Sequence, residues 1–349
     1  MKKKLIASLL LVTMALSLFT GCAKTPKADP KVKALLDGKK VLFVGCSYTY
    51  YGGVVARTAD TNLTTDLAGR VNDPGYFYQL CKAHGAEVNV VDWTFGGHSL
   101  RAIFSDKPCS VRPPCEGKTP NGHMEFFTDR VYDYVILNEV QRPGQSAEEI
   151  RDGIKDIAKM FKDANPGVKL FYIVHNGVYS SGHSGYGNEW LKSLSLIEKE
   201  GITILDWGTL VWDVATGKTQ VPGGTQSYNK SSFIVSKEPG DGYHPNLLSG
   251  YIFALMTFSA ITGLDAVGQP YDFCYKEDHE AYPVSLWLAL DYFKETYYRY
   301  DDKETPDVNE RKTNFIEVFN SEADMKGLQS LVNTYLADET NAWEKYITE

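Results

Sequence analysis

Positive charge is in short supply in this chain. Its 36 Lys and Arg are outnumbered by 44 Asp and Glu, for a formal net charge of -8, so no nucleic acid is expected as a partner. No HExxH or comparable ligand spacing occurs, and neither a metal nor any other cofactor is implied. There is no Walker-type loop. The glycine-rich stretch GHSGYG (182–187) does not follow an apolar strand pattern and then open a helix, as a dinucleotide-binding fingerprint must. The six cysteines contain no CxxC pair and no Cys/His zinc spacing, so Cys46, Cys81 and Cys274 read as small buried apolar residues. Internal repeats and long low-complexity runs are missing as well.

No apolar run reaches the ~20 residues that a membrane-spanning helix needs. The one at the N-terminus, in MKKKLIASLLLVTMALSLFTGC, is shorter, is led by three lysines and ends in small residues before Cys22. That is the layout of a secretory signal, covering residues 1–21. Its ending Phe19-Thr20-Gly21-Cys22 resembles a bacterial lipobox, which implies a diacylglyceryl group on the Cys22 thiol and a domain anchored to the outer face of a bacterial membrane. Plain secretion and a retained anchor are the alternatives. Without Met1–Gly21, which carries three lysines and no acid, the net charge becomes -11. Residues 22–38, rich in Lys, Pro and Ala, are expected to form a tether with little to bury. Cys109 and Cys115 bracket SVRPP, and in an exported chain a small disulfide loop is expected there.

The remainder is long enough for a large α/β domain with extensions. Near-continuous apolar runs recur at Val41–Gly45, Val88–Trp93, Val131–Leu137, Leu170–Val174 and Ile202–Leu205, and predict buried parallel strands. Helical patterns separate them. Ser146-Ala-Glu-Glu is an N-cap signal for a helix that stops at Asn165-Pro166-Gly167. Further helices are predicted over Glu189–Glu200 and Leu247–Thr262. Strands alternating with helices argue a doubly wound parallel sheet over residues 39–280, with its ligand site beyond the carboxyl ends of the strands. Residues 281–349 read as a helical C-terminal extension.

Four polar or glycine-bearing segments fall at that predicted edge. VLFVG runs into Cys46-Ser47, the second strand into Phe95-Gly96-Gly97-His98-Ser99, and the third into Asn138-Glu139-Val140-Gln141. Asp241-Gly242-Tyr243-His244-Pro245 precedes the Leu247–Thr262 helix. A serine hydroxyl becomes a nucleophile when a base within hydrogen-bond reach takes its proton and a third group holds that base in the right tautomer. Ser47, His244 and Asp241 are the residues for those roles, with Cys46 a competing nucleophile. Backbone N–H groups of Ser47 and Gly97, with the side-chain amide of Asn138 or alternatively Gln141, could hold a negative oxygen. In the competing structural reading, Ser47 is a turn serine and Asp241 with His244 caps the helix. His175 and His98 could line the pocket; His183 lies in the glycine-serine loop, and His84, His123 and His279 read as surface or structural residues.

This ordered set resembles the SGNH (GDSL-like) hydrolase superfamily, named for its Ser, Gly, Asn and His blocks, over roughly Lys39 to Gly263. GCSYT stands at the Ser block and DGYHP matches an Asp-x-x-His block. Cys46 replaces the acid or amide usual before the serine, and NEVQ departs from the usual Gly-x-Asn-Asp. The resemblance implies a flavodoxin-like three-layer α/β/α sandwich and an esterase acting on a small-molecule or carbohydrate ester, for example O-acetyl groups on glycans. The alternative from another class is a non-catalytic lipoprotein that uses the same fold to bind a glycan or peptide.

Overall fold

A computed structural model describes residues 28–50, 52–55, 75–94, 99–104, 131–139, 144–175, 184–234, 244–271, 315–337 and 341–347. Among these, five strands form one sheet: β1 (Lys40–Gly45), β2 (Asn89–Thr94), β3 (Tyr134–Leu137), β4 (Lys169–Ile173) and β5 (Thr203–Leu205). They pair in parallel in the order β2-β1-β3-β4-β5. This is the flavodoxin-like order, and its switch point, where successive connections leave in opposite directions, lies between β1 and β3.

Both faces of the sheet are covered, which is why its strands read as continuous apolar runs. Side chains alternate between two cores. Val41 and Phe43 of β1 join one with α1 (Pro30–Leu36), α3 (Tyr76–Ala83), α7 (Trp207–Ala215) and α8 (Leu247–Thr262). Leu42 and Val44 join the other with α4 (Leu100–Ile103), α5 (Ala147–Ala164) and α6 (Ser184–Glu198). The short helix α2 (Ser47–Tyr50) follows β1 directly. The result is the expected α/β/α layering.

Local signals act where the sequence puts them. Ser146 Oγ accepts from Glu149 N while Glu149 Oε2 accepts from Ser146 N, a complete capping box at the start of α5. Helix α8 ends at Gly263 with φ 64°, a left-handed turn that glycine adopts without strain. The third strand is shorter than its apolar run. Val131 stays exposed, and pairing with β1 begins only at Tyr134 opposite Val41.

The expected tether of residues 22–38 needs correction. From Pro30 the chain is helical, with Asp29 Oδ1 capping Lys31 N, and Val32 and Leu36 are fully buried against α3 and α8. Val32 and Leu36, four apart in PKVKALL, share one helix face, with Leu35 partly buried beside them, and that is enough to dock it.

Late in the chain, α9 (Phe315–Phe319) and α10 (Glu322–Ala337) contribute Phe319, Met325, Leu328 and Val332 to the core shared with α8. Two buried carboxylates fasten this region. Asp324 accepts from Thr225 N and Oγ1, Gln226 N, Tyr228 OH and Ser321 Oγ. Burial works to raise its pKa, but those donors outweigh burial and hold it below the ordinary carboxylate range. Asp213 on α7 accepts from Tyr335 OH, Lys345 Nζ and Tyr346 OH. No helix among the described residues is long and apolar enough to cross a membrane.

Asp206, the N-cap of α7, is buried differently. One oxygen accepts from Thr209 N at 3.3 Å, and the other has no hydrogen-bond partner among the described residues. Burial raises its carboxyl from 3.8 to about 7. Between those values the unfolded chain has released the proton that the folded chain keeps, so this group lowers stability as pH rises through that window. Asp206→Asn keeps an acceptor for Thr209 N and removes the ionisation. Urea midpoints of wild type and variant should therefore diverge between pH 5 and pH 7.5, in the variant's favour, with ~4 kcal/mol as the upper bound; parallel profiles would contradict this.

Candidate active site

The switch point brings the Ser and Asn blocks together. Val44 and Leu137 are in register on β1 and β3, so the residues that follow them, Gly45 to Ser47 and Asn138, leave the sheet side by side. Gly45 makes the turn possible. A Cβ there would lie 2.5 Å from Thr49 Oγ1 and 3.1 Å from the Asn138 carbonyl oxygen.

Ser47 opens α2, and Thr49 N donates to Cys46 O in its first turn. The His244 Nε2 lies 2.8 Å from Ser47 Oγ, closing a gap of 197 residues in the chain. Ser47 is 6% exposed, so its hydroxyl is largely shielded and its partner is a side chain that can take a proton.

His244 is held by the entry to α8. Its neighbour Pro245 bridges Ile234, Asn246 N donates to Phe233 O, and Asn246 Nδ2 donates to Ser232 O. Asn246 Oδ1 accepts from Ser249 N and is the N-cap of α8. The capping role considered for Asp241 and His244 therefore belongs to Asn246, a residue whose type and place just before an apolar run were a readable signal. Further along, α8 meets the chain after α2 through two glycines. A Cβ on Gly250 would stand 1.8 Å from Gly52 O. Serine segment and histidine helix touch backbone to backbone.

Asn138 is fully buried. Its backbone N donates to Val44 O, its Oδ1 accepts from Cys46 Sγ at 3.2 Å, and its Nδ2 has no hydrogen-bond partner among the described residues. Cys46 points toward β3 and is a free, buried thiol; burial pushes its pKa far above the usual thiol range. Such a group is a poor nucleophile, and of the two residues it is Ser47 that lies within hydrogen-bond distance of His244.

Behind the site runs a polar network that sequence reasoning did not find. Glu139 Oε2 accepts from Leu100 N and Oε1 from Tyr172 OH, and Trp190 Nε1 donates to the Tyr172 oxygen. Burial, then the nearby Glu139 charge, pushes the Tyr172 hydroxyl well above its ordinary pKa. His175 stacks on Tyr48 with ring centres 3.8 Å apart and meets Trp190 at 4.6 Å. His175 is thus packed, buried, against Tyr48, the residue after Ser47, while His84 lies elsewhere, buried against Gln269. Nothing in the spacing of Glu139, Tyr172 and Trp190 marks them as partners, because three separate elements carry them.

Gly97, His98, Gln141, His183 and Asp241 lie outside the described residues, as do Cys22, Cys109, Cys115, Cys274, His123 and His279. Among the described residues no group of His, Cys, Asp and Glu could hold a metal ion.

No family model matches the chain, and no curated protein does. Solved structures do. They include a GDSL-like lipase candidate from Parabacteroides merdae (13% identity, 68% of this chain and 99% of that one, TM-score 0.40). A family two carbohydrate esterase from Clostridium thermocellum, solved with cellohexaose, is 12% identical, with 64% of each chain covered and a TM-score of 0.37. Phospholipase A1 from Streptomyces albidoflavus is 11% identical over 63% of this chain and 99% of its own, with a TM-score of 0.38. What the site can do follows from its own geometry.

The glycine contact gives a direct test of how the two halves of the site are held. Gly250→Ala should destabilise the protein by at least ~2 to 3 kcal/mol, because backbone must move to admit the methyl group. Gly153→Ala, on a helix position with nothing within 4 Å, should be neutral or stabilising by up to ~1 kcal/mol. Equal urea midpoints for the two variants would show that the Gly52–Gly250 contact is not a constraint.

Proposed function

We propose that the chain is a serine esterase. The observation that carries this is the 2.8 Å approach of His244 Nε2 to Ser47 Oγ, beside a fully buried Asn138 whose Nδ2 has no hydrogen-bond partner among the described residues. One pair supplies an activated nucleophile and the other a donor for the oxygen that becomes negative.

In this reading Ser47 Oγ attacks the ester carbonyl carbon as its proton passes to His244 Nε2. The carbonyl oxygen gains the negative charge and is held by the Ser47 and Gly97 N–H groups and by Asn138 Nδ2. As the bond to the leaving alcohol breaks, His244 returns the proton to that oxygen. Water, deprotonated by His244, then attacks the acyl-serine, and the acid leaves as Ser47 regains its proton. Asp241 orients the imidazole so that Nε2 faces Ser47. The close burial around Ser47 favours a short acyl group, and an O-acetyl group on a glycan is the substrate class we put forward.

The same proposal anchors the protein through lipid on Cys22 at the outer face of a bacterial membrane. Residues 23–29 would then be the whole tether before α1, at most ~25 Å when fully extended. Fatty-acid labelling lost in Cys22→Ala supports the anchor; labelling retained removes it.

Purified protein lacking residues 1–22 should hydrolyse p-nitrophenyl acetate, faster than the octanoate, and should take up one fluorophosphonate on the peptide containing Ser47. Ser47→Ala should abolish both. Asp241→Asn should lower kcat by ~10²- to 10⁴-fold with a smaller change in KM. Hydrolysis by Ser47→Ala, or a folded wild type that neither turns over nor labels, would sink the proposal.

A further inference from the structure

Catalysis through Asn138 requires one end of a two-ended group. A side-chain amide can be turned by half a rotation at little cost, exchanging a donor for an acceptor in the same place. With Nδ2 toward the reacting oxygen it stabilises negative charge; with Oδ1 there it repels it. Packing alone barely distinguishes NH2 from O. A hydrogen-bond partner does.

The Asn138 backbone is fixed by its N–H to Val44 O and by the register of β1 on β3, which leaves the amide rotation as the remaining freedom. Among the described residues, the partner that the side chain has is the Cys46 thiol, whose Sγ is 3.2 Å from Oδ1. Both residues are fully buried, so water is poorly placed to substitute. We infer that Cys46 is a positioning residue of the oxyanion hole: its S–H donates to Asn138 Oδ1 and so keeps Nδ2 turned toward the acyl oxygen. This rests on the esterase reading above.

The chemistry of the thiol suits the role. A thiol that donates must keep its proton, and burial, with the charge of Glu139 adding to it, drives the Cys46 pKa upward. Sulfur accepts hydrogen bonds weakly, so the reversed amide, N–H toward Sγ, gains little. Being next to Ser47 on the chain, Cys46 couples the nucleophile and the oxyanion donor through a single turn, and its Sγ has left the face that His244 occupies.

The test is a cycle of variants in the chain lacking residues 1–22, with kcat and KM for p-nitrophenyl acetate and urea stability measured for each. Cys46→Val, close in volume and unable to donate, should lower kcat about five- to tenfold with KM nearly unchanged. Cys46→Ser retains a donor and should stay within about twofold of wild type. Asn138→Ala should lose ~10²- to 10³-fold, and adding Cys46→Val to it should cost nothing more, since no amide is left to orient. Independent, multiplicative losses in the double variant, or a serine variant as slow as the valine one at equal stability, overturn the inference while leaving the esterase intact. A folded wild type with no hydrolysis overturns both.

Discussion

The contact that everything else leans on is the one between Gly52 and Gly250. In the proposed chemistry a serine that follows β1 and a histidine 197 residues later share a proton, and a tolerance of a few tenths of an ångström decides whether they can. Side chains at this crossing would hold the two segments apart. With glycine on both sides, the segment after α2 rests on the backbone of α8 itself, and α8 is buried along almost its whole length. Its position is also secured from outside the crossing, by Trp207 Nε1 donating to Ser249 O and by Asn246 tied to the turn at Ser232. A buried helix thus fixes the entry segment before it, which carries His244, at a point beyond the sheet.

The sheet supplies the other half. At the switch point between β1 and β3, two neighbouring strands end with their backbones in register while their continuations diverge, and the opening between them is where small polar groups can face a ligand. Gly45 permits the close approach, Cys46 faces inward to Asn138, and Ser47 faces His244. Glu139, one residue beyond Asn138, turns the other way and accepts the Leu100 amide, so the end of β3 is linked to the segment after β2 as well. The late helices belong to the same mechanical unit. Asp324 gathers donors from the 225–228 loop and Asp213 gathers Tyr335, Lys345 and Tyr346, so the C-terminal residues brace α7 and α8 from behind.

Much of this was legible in the sequence where one segment carried its own signal. Buried parallel strands announce themselves as apolar runs; α8 was bounded to the residue because an apolar stretch is closed by a glycine; the capping box of α5 is written in Ser146 and Glu149. Ser47, Asn138 and His244 could be singled out because each stands at the end or start of such an element. What could not be read were relations between elements. The helix α1 looked like a tether because one apolar face in a lysine-rich segment, Val32 and Leu36, carries weight only once α3 and α8 present a surface to meet it. The competing reading of Asp241 and His244 as the cap of α8 fails for a reason that was itself readable, since Asn246 stands directly before the helix. Cys46 looked like a rival nucleophile, and only the orientation imposed by the turn sends its thiol to Asn138.

The central claim is that Ser47 and Asn138 act on the same acyl group from adjacent strand ends, with His244 as the base. A crystal structure of the protein after reaction with a fluorophosphonate tests it most directly. The account predicts phosphorus bonded to Ser47 Oγ, with a phosphoryl oxygen within about 3 Å of Asn138 Nδ2 and His244 Nε2 still beside Oγ. An adduct on another residue, or a phosphoryl oxygen turned away from Asn138 into solvent, would contradict it.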